Sequence, residues 1–165
     1  MNNQSLIYRH IFIYRFIMDL LYKGKYKERF AAVVDLLKDF PPGAGVLELC
    51  FGDTYIAQYC VKNGYQWKGL DINPHFVIQA QKLGFQAYQE DLSQIKHLPK
   101  ADVCIMMGSL YHFHPNIKLL TTMFEAADKV ILSEPVVNLS SQPGLIGFFA
   151  KKAANAGKGD EKFRY

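Results

Sequence analysis

Three acids and one glycine stand where a nucleoside pocket would use them. The stretch VLELCFGDTYIA, residues 46–57, reads as a buried strand, a tight turn and the start of a helix. Such a turn is a standard nucleotide position, because backbone amides and a helix N-terminus face the ligand. A dinucleotide would require GxGxxG there. Cys50, Gly52 and Tyr55 occupy the three places instead. Asp53 sits where a pyrophosphate needs positive potential, and Glu48 adds negative charge near the strand end. The turn therefore disfavours phosphate and favours a cationic guest. Asp71 ends the second strand, the place from which an acid holds the two hydroxyls of a ribose. A second group, Tyr111, His112 and His114, lies in the SLYHFHP stretch after the fourth strand. These are the plausible general bases near a strand-order reversal, with His112 foremost.

The elements that must position these residues follow from the apolar pattern. From residue 46 onward, strand and helix alternate. Strands are expected over 46–50, 67–72, 86–90, 102–107 and 129–133. Helices are expected over 55–62, 74–83 and 116–127, with a short one over 93–97. Continuous apolar strands alternating with helices imply a doubly wound, mostly parallel α/β sheet of order 3-2-1-4-5. Pro74 and Pro115 suit first-turn positions, and Gly64 and Gly84 suit the residues just past helix ends. Residues 1–43 form a helical N-terminal extension and 44–165 the α/β unit, divided by the stiff Pro41–Pro42–Gly43 linker. The extension's first helix, over 6–22, is apolar except for a narrow stripe of Ser5, Arg9, Arg15, Asp19 and Lys23, in which Arg15 and Asp19 can pair at i, i+4. Its charges exclude a membrane span. It must be covered by the domain, act as a lid, form a dimer contact or lie on a membrane surface. In the second helix Phe30, Val33, Val34 and Leu37 mark the buried stripe.

A nucleoside with positive charge and no phosphate answers the turn's demands, and S-adenosylmethionine is one: adenosine, a sulfonium and an amino-acid tail. From about Tyr26 to Pro135 the sequence resembles the class I S-adenosylmethionine-dependent methyltransferases. ELCFGDT resembles the family's first motif, with Glu48 at its acid, Gly52 at its middle glycine, and Cys50 and Thr54 replacing the outer ones. GLDINPHF resembles the second motif, which implies Asp71 on the ribose and Ile72 against the adenine. QEDL resembles the third, which implies Asp91 at the adenine amino group and the Leu92 amide at a ring nitrogen. ADVCIMMGSLYHF resembles the fourth strand and its loop. The resemblance also implies Phe51, Met107 and Gly108 as cofactor contacts. The Asn/Asp-Pro-Pro-aromatic motif of nucleic-acid base methyltransferases is absent from the loop, which argues against such acceptors.

Composition bounds the partners. The 165 residues carry a net charge of +4, too mild and scattered to indicate nucleic acid. Cys50, Cys60 and Cys104 form no CxxC pair, read as free thiols of a reducing, cytoplasmic compartment, and offer no metal set. The expected function is methyl transfer from S-adenosylmethionine, giving S-adenosylhomocysteine, to a small-molecule or lipid acceptor. An inactive S-adenosylmethionine-binding module or truncated fragment is the alternative. A nicotinamide-dependent oxidoreductase is disfavoured by the missing glycines and Asp53. The family's sheet has two further strands, for which the residues after Pro135 leave no room; they read as one helix over 144–157. The strand over 129–133 is then an edge, which either pairs with a second copy in a homodimer, the favoured outcome, or is shielded by the residues after Pro135.

Overall fold

In the computed structural model, residues 11–22 and 24–134 are described. The chain runs α1 (Ile11–Leu21), α2 (Tyr26–Leu37), β1 (Gly45–Leu49), α3 (Tyr55–Lys62), β2 (Gln66–Asp71), α4 (Pro74–Lys82), β3 (Gln86–Gln89), β4 (Ala101–Met107), α5 (Asn116–Ala126) and β5 (Ala127–Ser133). The five strands form one sheet in the order β3-β2-β1-β4-β5, and every pairing is parallel. This is the order the sequence implies.

Two cores cover the sheet. On one face Val46, Val103 and Ile105 pack with Phe30 and Val33 of α2, Ile56 and Cys60 of α3, and Phe76 and Ala80 of α4. On the other, Leu47, Leu49, Cys104 and Met106 pack with Leu119 and Met123 of α5 and with Leu92 and Leu98. The first core is rich in aromatic rings, whereas the second is almost wholly aliphatic. Alternation along β1 divides its residues between them, and it turns Glu48 into the aromatic side.

Four local expectations need correction. No helix forms over 93–97. Asp91 Oδ1 accepts from the Ser93 amide at 3.1 Å and from the Ser93 hydroxyl at 2.6 Å, which ties the segment into a turn. Arg15 does not pair with Asp19; it reaches the buried Asp53 instead, while Asp19 stays exposed. A carboxylate out of water has more need of a counter-charge than a solvated one. Pro115 precedes α5 rather than entering it, with ψ at 133°. α5 then runs into β5 without a loop, so β5 starts at Ala127, two residues before the expected 129. Pro74 does take the first helical position, and the Asn73 side chain accepts from the His75 amide to cap α4. Residues 6–10 of the expected first helix and the expected helix over 144–157 lie outside the described residues.

Candidate functional site

The carboxyl ends of β1, β2 and β4 meet at two turns. The first follows β1. The Cys50 amide donates to Leu70 O at 2.7 Å, prolonging the β1–β2 ladder by one step. Cys50 then takes φ +53°, a left-handed conformation rare for a residue with a side chain, and Gly52 takes φ +53° as well. This reversal aims the Gly52 amide at Asp71 Oδ2, 3.0 Å away, while Asp71 Oδ1 accepts from the Asn73 amide at 2.8 Å. One carboxylate thus ties the turn after β1 to the start of α4. Burial pushes the Asp71 carboxyl up to about 6, and the two amides oppose the shift.

Behind the turn, Trp67 Nε1 donates to Glu48 Oε2 at 2.8 Å. Register explains the pairing: Val46 faces Trp67 and Glu48 faces Gly69 across the parallel pair. A Cβ on Gly69 would collide with the Trp67 indole and stand 2.7 Å from Phe51 Cδ1. The glycine lets the indole lie across its own strand to reach the acid. Burial pushes Glu48 up to about 8, so it is a neutral acid near pH 7, and its Oε1 is buried with no hydrogen-bond partner. Asp53 receives both Arg15 Nε at 2.8 Å and Arg15 Nη2 at 2.7 Å. The turn is therefore less negative than its sequence: one acid is protonated and one paired. Above it, the Tyr14 ring packs edge-on against Phe76, and its hydroxyl lies 3.0 Å from where a Cβ on Gly52 would stand. α1 crosses the turn.

The second turn follows β4. Met107 is buried, and Gly108 takes φ +63°. The amides of Ser109 and Leu110 donate to Glu134 Oε1 at 2.9 and 3.1 Å. These two residues open a 3-10 turn, Leu110–His112, that carries Tyr111 and His112 with ring centroids 4.1 Å apart. Both are half-buried; His114 is exposed. On the β2–β3 side, Phe51 packs edge-on against Trp67, Ile72 and Asp91 are half-buried, and Leu92 is buried in the aliphatic core. Glu48, Cys50, Phe51, Gly52, Asp71 and Ile72 thus border the first turn, Met107, Gly108 and the Tyr111–His112 pair the second, and Asp91 and Leu92 follow β3. Among the described residues no group of three His, Cys, Asp or Glu side chains converges as a metal would require.

Several residues of this region escape sequence reasoning as site residues: Arg15, Arg29, Trp67, Gly69 and Glu134. Arg29 left a signal. Tyr22, Tyr26, Phe30 and Val33 form the inward stripe of the N-terminal helices, and Arg29 interrupts it with a charge. A cation on a buried stripe needs a reason.

No family model matches the chain, and no curated protein does. Solved structures do match. Magnesium protoporphyrin IX methyltransferase from Synechocystis PCC 6803, with bound S-adenosylmethionine, superposes with a TM-score of 0.58 at 21% identity, over 70% of this chain and 61% of that one. A TehB-like S-adenosylmethionine-dependent methyltransferase from Corynebacterium glutamicum gives 0.56 at 19% identity, over 80% and 78%. The chain has the Rossmann-like fold of the class I S-adenosylmethionine-dependent methyltransferases. A third such enzyme, from Mesorhizobium loti, gives 0.51 at 19% identity over 58% of this chain, which spans 47% of that protein's length. At these identities the likeness is one of fold. Among the described residues no helix is long and apolar enough to cross a membrane.

Proposed function

We propose that this chain binds S-adenosylmethionine across the two turns and transfers its methyl group to a small-molecule or lipid acceptor. The observation that carries the reading is the clamp at the end of β2. Asp71 is held by the Gly52 and Asn73 amides at the carboxyl end of a parallel strand, beside a turn whose Arg15 is already paired with Asp53 and so is not free for a pyrophosphate. The residues present fit the cofactor. Asp71 retains acceptor capacity for the ribose hydroxyls, because an ionised carboxylate offers about four lone-pair sites. Ile72 supplies apolar contact for the adenine, with Asp91 near its amino group and the Leu92 amide near a ring nitrogen. Gly52 and Gly108 allow close backbone approach. When bound, the cofactor supplies a methyl group on a sulfonium.

The chain's own contribution is orientation and exclusion of water. The ring of Tyr14 and the Arg15–Asp53 pair close α1 over the first turn. The Leu110–His112 turn, fastened by Glu134, presents Tyr111 and His112 toward the acceptor side, with His112 as the base for an acceptor that must lose a proton. His114 stands just beyond, at the start of the segment leading to α5.

Calorimetric titration tests the reading. S-adenosylhomocysteine should bind at micromolar concentration and nicotinamide dinucleotides should not. Absence of binding by the nucleoside, or equal binding by the dinucleotide, rejects the proposal. A binding module without turnover is the second reading, favoured by the Tyr14 hydroxyl that covers Gly52. Transfer of labelled methyl to any acceptor in a small-molecule and lipid panel excludes it.

A further inference from the structure

Among the described residues, three buried side-chain atoms have no hydrogen-bond partner: Glu48 Oε1, Arg29 Nε and Glu134 Oε2. Buried polar atoms without partners are rare in folded proteins. The last two flank one residue, Gly108.

Arg29 belongs to α2, outside every nucleotide-site motif. Its guanidinium carbon lies 5.3 Å from the Tyr22 ring centroid and 5.4 Å from those of Tyr26 and Phe30. Nη1 donates to the Tyr22 hydroxyl at 3.0 Å. The two terminal nitrogens stand 3.2 and 3.3 Å from where a Cβ on Gly108 would be. Aromatic walls satisfy part of a cation's electrostatic demand. They do not engage the guanidinium's in-plane donors, and those donors match a carboxylate. Glu134 approaches the same turn from the end of β5. Its Oε1 accepts from the Ser109 and Leu110 amides, and its Oε2 has no partner. A half-buried cation and a half-buried carboxylate, each with a buried unused atom and separated by a glycine turn at the strand ends, have the polarity of a zwitterion's complement. A phosphate would satisfy Arg29 but be repelled by Glu134.

Resting on the cofactor reading above, we infer that Arg29 and Glu134 recognise the α-amino-acid head of the bound nucleoside. Arg29 takes its carboxylate and Glu134 its ammonium, so that the protein rejects nucleosides without that head. The missing side chain of Gly108 makes the room. Glu134 also acts a second way. By holding the Ser109 and Leu110 amides with its other oxygen, it links the head to the turn that carries Tyr111 and His112.

The test compares two ligands that share the thioether nucleoside and differ in the head, S-adenosylhomocysteine and 5′-methylthioadenosine, by calorimetric titration. The unaltered protein should prefer the first by at least about tenfold. Arg29→Gln should weaken S-adenosylhomocysteine by about 10–100-fold, the size of a lost charge-assisted contact, and leave 5′-methylthioadenosine within about twofold. Glu134→Gln should narrow the preference in the same sense. Equal affinity of the unaltered protein for the two ligands overturns the inference while leaving the nucleoside site standing. An equal loss for both ligands in a folded Arg29→Gln protein also overturns it, because that is what a merely structural arginine would do. If Arg29→Gln does not fold, the unaltered protein's preference and the Glu134→Gln protein decide. Binding of neither ligand by the unaltered protein overturns the cofactor reading and this inference together.

Discussion

β1 has a glycine–aspartate hydrogen bond at each end, and the two are built differently. At its amino end the Gly45 amide donates to Asp102 Oδ2 at 2.6 Å, on an exposed carboxylate. Beside it opens a cleft of about 350 Å³ bordered by Trp67, Lys68, Phe85 and Lys100. Beyond its carboxyl end the Gly52 amide donates to Asp71 Oδ2 at 3.0 Å, on a carboxylate only 6% exposed. The amino-end bond trims a strand in water. The carboxyl-end bond holds a charge out of water, next to two residues at positive φ and, across the turns, to atoms with no partner. Folding alone does not explain such costs at one end and not the other. The difference sets the carboxyl end of the sheet apart as the candidate site, and it does so without reference to any motif.

The largest expected effect lies with Glu48. Its carboxyl rises from 4.5 to about 8 on folding because burial disfavours the charged form. The folded chain therefore keeps a proton that the unfolded chain releases between those values. The stability this proton provides is fully present below about pH 4.5 and is lost as pH rises through about 8, on the order of 5 kcal/mol. Asp71 adds a smaller loss of the same sign as pH rises through about 6. Glu48→Gln keeps an acceptor for Trp67 and cannot ionise, so urea midpoints of that variant should fall far less between pH 5 and pH 8 than those of the unaltered protein. Parallel pH profiles for the two proteins would mean that the carboxyl end bears no such charge burden.

How much of this contrast is legible in the sequence depends on the kind of interaction. The strand order follows from alternation and handedness, because each parallel strand is a continuous apolar run and each crossover a helix. Asp71, Gly52 and Glu48 are legible since a motif reports residues whose roles depend on local backbone geometry. Trp67 and Gly69 are not, although their register against Val46 and Glu48 makes the buried acid possible; register is set across strands and leaves no mark in either one. Spacing at i, i+4 offers Arg15 a partner in Asp19, whereas the stronger pull comes from a buried acid in another element. The helix over 93–97 fails for a related reason: Asp91 bonds to Ser93 locally and competes with helical hydrogen bonds. Glu134 lies after the last strand and touches the site only through the fold.

The next effect in size sharpens the contrast directly. Asp71→Ala removes the acceptor of two amides, Gly52 and Asn73, in a region closed to water. The expected loss of stability, read from the urea midpoint, is about 2–3 kcal/mol, since buried donors without partners are penalised in full. S-adenosylhomocysteine binding should weaken by about 10–100-fold in the fraction that folds, through the lost ribose acceptor. An Asp71→Ala protein with unchanged stability would mean that water reaches the turn, and the distinction between the two ends would vanish on that side.

The smallest effect supplies the control. Asp102→Ala deletes a shorter bond than the one at Asp71, 2.6 Å against 3.0 Å. Length alone would rank it the more important of the two. Burial ranks it the other way: Asp102 is exposed, so a water molecule can take over the Gly45 amide once the carboxylate is gone. The net worth of a solvated hydrogen bond is then about 0.5–1 kcal/mol. The substitution adds no clash either, because alanine is smaller and the backbone of β4 keeps its pairing with β5 from Ala101 onward. Asp102→Ala should therefore shift the urea midpoint by less than half the Asp71→Ala shift and leave nucleoside affinity within about twofold. An Asp102→Ala loss equal to that of Asp71→Ala would show that the amino end is as tightly coupled to the fold as the carboxyl end, and desolvation would no longer tell the two apart.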